Sequence, residues 1–376
     1  MNAYIKELAE GIDVPCQFEA PRQPPEWLDK DKYEKGREFF KKNPLSVMLS
    51  NFRNLVIGLS VTKLWFVNYT FVKQIEFNFS YVFSDILVLT QKTETKKKAF
   101  YRYIDTGYFM ARWLLGPAPW EDDSMYKIVN GYHKSAANQM RKMSKNQRQD
   151  QADKIISQLE ATDRMPTNDP LDQALLESVR THPNAKRNHE IYEEYIKNEV
   201  VFSQFDMALV HIAFFASVVV FPERFGAGHC SDDSFECFLH MWKVIGYYLG
   251  VEDRFNVVRS NLSETRKLLL EIGDELVLPS VIHMNTTSIH MAKCVTKAYG
   301  IDYHLLVYQH CFSHGIELHQ LWHKFSVKQK FLYYWRQFFI EWLYCFPPFR
   351  YIINASMLKI FEKMHSKRRN SPSQSE

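Results

Sequence analysis

Two short segments, Arg102-Tyr103-Ile104-Asp105-Thr106 and Ile128-Val129-Asn130-Gly131-Tyr132-His133, carry the pattern from which this chain is best interpreted. Arg102 and Thr106 are four positions apart, so on a helix they share one face. The apolar residues before His133 have the spacing of a helix that faces a core. A guanidinium beside a hydroxyl suits an oxygen-rich group, and an imidazole facing an apolar interior suits a metal or a haem iron. The ordinary alternative is a surface Arg–Thr pair and a hydrogen-bonded core histidine.

The sequence as a whole predicts an all-α fold. Glycine contributes 13 of 376 residues, about half the usual ~7%. Met207–Phe221 is apolar on nearly every side, interrupted by His211, and Phe238–Leu249 is similar, which is typical of central core helices. No alternating strand segments bounded by tight turns occur, and Gly-rich loops that cradle nucleotide phosphates are missing from the sequence. We therefore expect a single large helical domain of buried apolar helices around a haem-type cavity.

Composition along the chain divides it into four parts. We expect a loosely packed N-terminal arm over 1–35, a helical domain over 36–330 (which the resemblance described next implies is oxygenase-like), aromatic-rich amphipathic helices over 331–365 and a disordered polar tail over 366–376. The first residues lack an apolar signal sequence, so no cleaved signal is expected. The run from 55 to 72 approaches the length of a membrane span, but its lysine and polar residues favour a helix buried in protein.

The chain resembles the family that joins bacterial rubber oxygenases to fungal MpaB-type ER-bound oxygenases. The resemblance covers about residues 35 to 260 and extends towards 330, and it depends on the order of several short motifs. In this sequence they are Gly36–Phe40, Asn43–Val47, the R-x-x-x-T element Arg102–Thr106, the segment Val129–His133 that matches V-R-x-x-H, Phe205–Leu209 and Trp242–Asp253.

The resemblance implies a haem-dependent oxygenase that uses O2 and haem b to oxidise a hydrophobic alkene or prenyl-type substrate. By resemblance, His133 is the axial ligand of the haem iron, and Arg102 and Thr106 are catalytic residues close to the haem. Two positions depart from the family. Asp105 stands where rubber oxygenases can carry a lysine near the iron, and Asn130 replaces the arginine of V-R-x-x-H. A lipid- or prenyl-binding protein that has lost the chemistry is therefore the alternative.

Histidines elsewhere in the chain offer a competing interpretation. His310 and His314, like His319 and His323, are spaced four residues apart, as in pairs that clamp a metal on one helix face. The corresponding function would be a haem-free metal oxygenase, whereas the simpler interpretation is a histidine-rich helical surface. His211 is either a pocket residue or, more simply, a satisfied core histidine.

The C-terminal segment suggests a membrane partner. Residues 331 to 351 include eleven aromatic residues, and a basic cluster follows, ending in Lys367-Arg368-Arg369. This pattern predicts peripheral attachment to an anionic membrane, with an intracellular location in the cytoplasm or on the cytosolic face of the ER. The alternative is that the aromatic residues cap the core. A net charge of +4 with both signs mixed through the chain predicts no nucleic-acid partner.

Overall fold

The computed structural model describes residues 3–19, 21–59, 94–142, 147, 150, 154–183, 189–284 and 286–369. Throughout these ranges the regular structure is helical, and the only β feature is an isolated bridge between Pro15 and Ser203. The helices assemble around one continuous apolar core that extends from Ile5 to Phe361. The all-α prediction is confirmed.

The helices follow the chain in this order: α1 Ala3–Ala9, α2 Lys30–Lys42, α3 Pro44–Gly58, α4 Lys96–Leu115, α5 Ser124–Tyr126, α6 Lys134–Met140, α7 Pro170–Thr181, α8 Glu190–Lys197, α9 Gln204–Ile212, α10 Ala216–Val220, α11 Asp232–Tyr248, α12 Leu262–Ile272, α13 Leu278–Ile282, α14 Thr286–Ala298, α15 Tyr303–Ser313, α16 His319–Lys324, α17 Val327–Phe338 and α18 Pro347–Arg369. Three π-helices interrupt the series, Lys127–His133, Gly273–Val277 and Phe339–Leu343.

Helices α2 and α11 form the most extensive helix pair of the core. Gly36 lies at their closest approach, where an added Cβ would be 2.4 Å from the carbonyl oxygen of Cys237 and 2.7 Å from Cβ of Met241. Only glycine permits this distance, because any side chain would push the two backbones apart. Within α11, Trp242 is fully buried and forms the centre of the aromatic core.

The predicted helix Met207–Phe221 is central but not continuous. It consists of α9 and α10, separated by a turn at residues 213–215. The rings of Phe214 and Phe215 lie 5.3 and 5.7 Å from the ring of Trp242. Packing of two adjacent aromatic residues on one indole requires both to face α11, which a regular helix does not allow because successive residues are about 100° apart. The continuous helix was therefore a wrong prediction, whereas the burial is confirmed.

The N-terminal arm is packed, not loose as we expected. Ile5, Leu8 and Ile12 are fully buried, and Phe18 is 1% exposed. These apolar residues recur at the spacing of one helix face, which α1 and the 3₁₀ turn Glu10–Ile12 place against the core. The backbone amide of Cys16 also donates to the carbonyl of Phe202 at 2.8 Å. The arm is therefore part of the domain.

The C-terminal helices have one buried and one exposed side. Tyr333 and Tyr344 are buried, and the Tyr344 hydroxyl donates to Asn354 Oδ1 at 2.6 Å. Helix α18 begins at the Pro347-Pro348 break and continues through residues 366–369, which we had assigned to the tail. Residues 370–376 lie outside the described part. The segment thus caps the core on one side only.

The apolar run from 55 to 72 is described only as far as Leu59, where α3 has just ended, and the remainder lies outside the described residues. Among the helices that are described, none combines the length and apolar character needed to span a bilayer.

Candidate functional site

An apolar cavity of about 130 Å³ lies between helices α3, α4, α9, α10, α12 and α15. Most of its lining is aliphatic or aromatic, and its polar residues are few: Asn51, Asn54, Tyr103, Thr106, Ser217, His310 and His314. No carboxylate lines it within the described part of the chain. Such a cavity suits an apolar molecule that a few polar groups orient.

The R-x-x-x-T helix reaches this cavity. Thr106 and Tyr103 lie on α4, are 7% and 8% exposed, and both line the cavity. Helix α4 begins after Thr95, whose hydroxyl accepts from the Lys98 amide at 3.3 Å, and the lysine run 96–98 forms its exposed first turn. The side chains of Arg102 and Asp105 lie outside the described part.

His133 is buried but does not belong to the lining of this cavity. Its side chain is 8% exposed, and its ring meets the edge of Phe18 at 5.6 Å between centroids. It ends the π-helix Lys127–His133, a backbone form that is rare and frequent at functional sites. The prediction of a buried imidazole is therefore met. Thr106 lines the cavity, whereas His133 contacts Phe18 of the N-terminal arm.

His310 and His314 are the imidazoles that the cavity does contain. They lie one turn apart at the end of α15, with ring centroids 4.7 Å apart. His319 points outwards, with its side chain 74% exposed and 3.3 Å from Glu317. A single four-histidine centre is therefore excluded, since only one pair faces inwards. The sequence signal for this pair was the four-residue spacing, but its placement beside Thr106 was not predicted.

Burial keeps both cavity imidazoles neutral. Desolvation, aided by the positive charge of Arg53, lowers the pKa of His314 to about 4. Burial, His314 and Arg53 also lower the pKa of His310 well below its usual value. The Nδ1 atom of His310 has no hydrogen-bond partner in the described part of the chain. A neutral imidazole with a nitrogen not engaged in a hydrogen bond can ligate a metal or accept a proton.

The second π-helix makes room for this pair. Gly273 begins the segment Gly273–Val277, and an added Cβ there would be 2.8 Å from Cε1 of His314. The ring of His314 therefore packs directly against the backbone at Gly273, where a larger side chain would collide with the ring. Phe221 closes the other side, with its ring centroid 4.8 Å from that of His314.

His211 is a core histidine, as the simpler interpretation held. Its Nε2 atom lies 2.7 Å from the carbonyl oxygen of Trp242, so this nitrogen carries the proton and donates. Burial lowers the pKa of His211 to about 4. It is not among the residues that line the cavity.

A further cluster, Asp169, Asp172 and His304, has the composition of a metal site. However, Lys293 already occupies it. The Lys293 ammonium donates to Asp169 Oδ2, Asp172 Oδ2 and the carbonyl of Pro166, each at 2.7 Å. His304 Nε2 lies 2.8 Å from Asp172 Oδ1. Three hydrogen bonds satisfy an ammonium completely, so this cluster is an internal ion network that joins α7, α14 and α15.

His133 and the helix that carries Thr106 offer residue types that suit haem, but the structure does not bring them to one cavity. His133 is an enclosed imidazole beside an aromatic ring, and the helix carrying Arg102 and Thr106 faces an apolar cavity. His310 is a second candidate ligand, because it lines the same cavity as Thr106 and its Nδ1 atom has no hydrogen-bond partner among the described residues. Comparison with known proteins assigns nothing further: no family model, no curated protein and no solved structure matches this chain. The resemblance to rubber oxygenases therefore stays a hypothesis.

Proposed function

We propose that this protein is a haem-dependent oxygenase that acts on a hydrophobic alkene or prenyl-type chain. The observation that carries the proposal is that the R-x-x-x-T helix faces an apolar cavity without a carboxylate among its described lining residues. Such a cavity accepts a hydrocarbon chain and excludes water. The motif order that resembles the rubber oxygenases supplies the reaction class.

Each residue has a defined task in this proposal. His133 would hold the haem iron as axial ligand, and haem b, when bound, supplies the redox chemistry that O2 requires. The Thr106 hydroxyl, on the wall of the cavity, would donate a hydrogen bond where negative charge develops. Arg102 would provide a fixed positive charge from the same helix face. The aliphatic walls orient the substrate chain.

Absorbance of the purified full-length protein tests the proposal. A Soret band is expected, and His133→Ala should abolish it while leaving the helical circular dichroism largely intact. His319→Ala is the matched control, because this imidazole is exposed. His310→Ala tests the competing ligand. Loss of the band in this variant, but not in His133→Ala, would assign the iron ligand to His310 on α15. Arg102→Ala should lower turnover more than haem content. Protein without any Soret band, even after haem is added, rejects the proposal.

A second candidate is a haem-free metal oxygenase, favoured by the neutral imidazole pair His310 and His314. Iron in the purified protein without a Soret band, lost in His310→Ala, would select it. The third candidate is a lipid- or prenyl-binding protein without chemistry, favoured by Asp105 and Asn130. It predicts neither chromophore nor metal, but retention of an apolar ligand.

Peripheral attachment to an anionic membrane is part of the proposal. The outward side of the C-terminal helices exposes large apolar residues: Phe331, Tyr334, Trp335, Phe338, Trp342, Phe346, Tyr351 and Ile352. Trp342 is 72% exposed and Tyr351 75%. Aromatic residues beside lysines such as Lys328 and Lys359 suit the interfacial zone of a bilayer.

Liposome flotation tests this attachment. Full-length protein should float with vesicles that contain anionic phospholipid and stay behind with neutral ones. The double variant Trp335→Ser/Trp342→Ser should remain in the soluble fraction, whereas Tyr101→Ser, at another exposed aromatic residue, should float like the wild type. Equal flotation of all three proteins would show that the C-terminal aromatic residues do not mediate the contact.

A further inference from the structure

A second cavity, of about 270 Å³, lies on the other side of α3 and α15 from the first. Arg53 lines this second cavity, while its neighbours Asn51 and Asn54 line the first. On α15, Gln309 and Ser313 face the second cavity, and His310 and His314 face the first. The two helices therefore form a common wall. The outer wall comes from α17 and the π-helix Phe339–Leu343.

Arg53 is buried without a counter-ion. Its side chain is 9% exposed, and in the described part of the chain no carboxylate lies within ion-pair distance of it. Its Nη1 atom donates long hydrogen bonds to Ser313 Oγ at 3.3 Å and to the Gln309 carbonyl at 3.4 Å. Its guanidinium also lies over the ring of Phe225, 4.1 Å from the centroid. The Nε and Nη2 atoms have no hydrogen-bond partner among the described residues.

Positive charge dominates this cavity. Arg53, Arg224 and Arg336 line it, and Glu341 is the only carboxylate among its described lining residues. Glu341 is already engaged, because its Oε1 atom lies 2.7 Å from Nη1 of Arg224. Asp302, the nearest acid to influence Arg336, is used in turn as the N-cap of α15, accepting from the Leu305 amide at 2.9 Å. Two guanidinium charges therefore lack an internal partner.

An unpaired buried charge is unfavourable, and proteins normally supply an opposite charge or a full set of hydrogen bonds. The two free N–H positions of Arg53 form the edge of a guanidinium that binds an oxyanion with two hydrogen bonds. The remaining walls are apolar, with Phe52, Phe312, Phe339 and Ile340 among them. Volume limits the ligand further, because about 270 Å³ is near the lower end of small-molecule pockets, roughly 300–1,000 Å³.

We propose that this second cavity binds a single-chain amphiphile, with its carboxylate or phosphate head on Arg53 and its hydrocarbon chain along the aromatic wall. The head pairs with the guanidinium charge of Arg53, and Arg336 adds a second positive charge. The inference is independent of the haem proposal, since His133 and Thr106 are not among the described lining residues of this cavity. It also gives α17 two roles, because its outward aromatic side faces solvent while Tyr333 and Arg336 face the cavity.

Thermal unfolding and titration calorimetry of the full-length protein with five probes test the ligand class. The probes are dodecanoate, dodecyl phosphate and dodecanol below their aggregation limits, and acetate with inorganic phosphate. At least one of the two anionic amphiphiles should bind and raise the melting temperature. Whichever of the two responds identifies the head group as a carboxylate or a phosphate. Dodecanol should bind at least tenfold more weakly. Equal binding of dodecanol, or equal stabilisation by acetate or phosphate (an adventitious ion only), overturns the proposal.

Variants locate the site. Arg53→Met should weaken binding of the anionic chain at least tenfold, and Arg53→Lys should restore part of it. Arg254→Met is the matched control, because Arg254 also lies over a phenylalanine ring, 4.3 Å from the Phe255 centroid, but pairs with Glu252 at the surface. If Arg53→Met does not fold, Arg336→Gln takes its place and should weaken binding severalfold. Unchanged affinity in the folded variant overturns the proposal.

Discussion

Two clusters of charged and titratable residues contact the same helix, α15, and they differ in whether their charges are paired. Near its start, His304 joins Lys293, Asp169 and Asp172 in a network in which the ammonium donates three hydrogen bonds of 2.7 Å. Near its end, His310 and His314 face one cavity, and Arg53 faces the other without a carboxylate partner in the described part of the chain.

The difference separates stabilising groups from candidate binding groups. The Lys293 network pairs the ammonium with two carboxylates and satisfies all three of its donors, so this cation needs no ligand. The Arg53–His310–His314 cluster leaves Nε and Nη2 of Arg53 and Nδ1 of His310 without partners among the described residues. Because unsatisfied buried polar groups destabilise a fold, they are retained mainly where a ligand completes them. These unpaired atoms, together with the two cavities that His310 and Arg53 line, mark this cluster as a candidate binding region.

The largest expected effect comes from breaking the paired network. Asp172→Asn should lower the free energy of unfolding by about 3–5 kcal/mol, because it removes the buried carboxylate that pairs with Lys293 and leaves this cation only the partly exposed Asp169. Urea unfolding followed by circular dichroism measures the change. Asp232→Asn is the control: this carboxylate is 78% exposed and pairs with Arg266 at the surface, so its loss should cost at most about 1 kcal/mol. A cost below that value for Asp172→Asn would remove the distinction between the clusters.

Acidic pH should destabilise the protein through the cluster of Arg53, His310 and His314. The pKa of His314 is about 4 in the folded protein and near its usual ~6.5 in the unfolded chain. The unfolded chain therefore binds more protons below pH 6.5, so stability is complete above that pH and falls as the pH decreases towards 4. His314 alone accounts for about 3 kcal/mol at the acidic limit.

Unfolding of the wild type and of His314→Gln at pH 7.5, 5.5 and 4.5 measures this slope. The variant should lose less stability between the first and last pH. His319→Gln, which changes an exposed imidazole, should keep the wild-type slope. Identical slopes for wild type and His314→Gln would contradict a neutral buried imidazole at this position.

The sequence predicted local features better than the cavity. The burial of the apolar runs 207–221 and 238–249 follows from the pattern of residues close in sequence. The break between α9 and α10 was missed because it depends on packing of two phenylalanines on Trp242, far along the chain. That Thr106 and His310 line the same cavity likewise depends on how α4 and α15 are placed around α9, which no local pattern encodes.

A smaller effect is expected from crowding His314. Gly273→Ala should lower the free energy of unfolding by about 1–3 kcal/mol, because the new methyl group lies within 2.8 Å of the ring. Gly131→Ala is the matched control in the π-helix Lys127–His133, where no atom lies within 4 Å of the added Cβ. That change should be neutral or stabilise by about 0.5–1 kcal/mol, since alanine restricts the unfolded chain. Thermal unfolding compares the two, and equal losses would show that π-helix geometry, not contact with His314, is the cause.

The smallest expected effect, that of Arg53→Met, discriminates best between the two clusters. It should raise the free energy of unfolding, whereas changes in the Lys293 network should lower it. Arg53→Met removes an unpaired buried charge that costs several kcal/mol. It also removes two long hydrogen bonds and a contact with the Phe225 ring, together worth about 2–3 kcal/mol. The net result should be a slight gain of about 1 kcal/mol in the ligand-free protein. The same substitution at Lys293 should instead lower stability by about 3–5 kcal/mol, because it leaves Asp172 without its cation. Urea unfolding of Arg53→Met and Lys293→Met therefore compares identical chemical changes in the two clusters, and a loss of several kcal/mol in both would make Arg53 a structural residue.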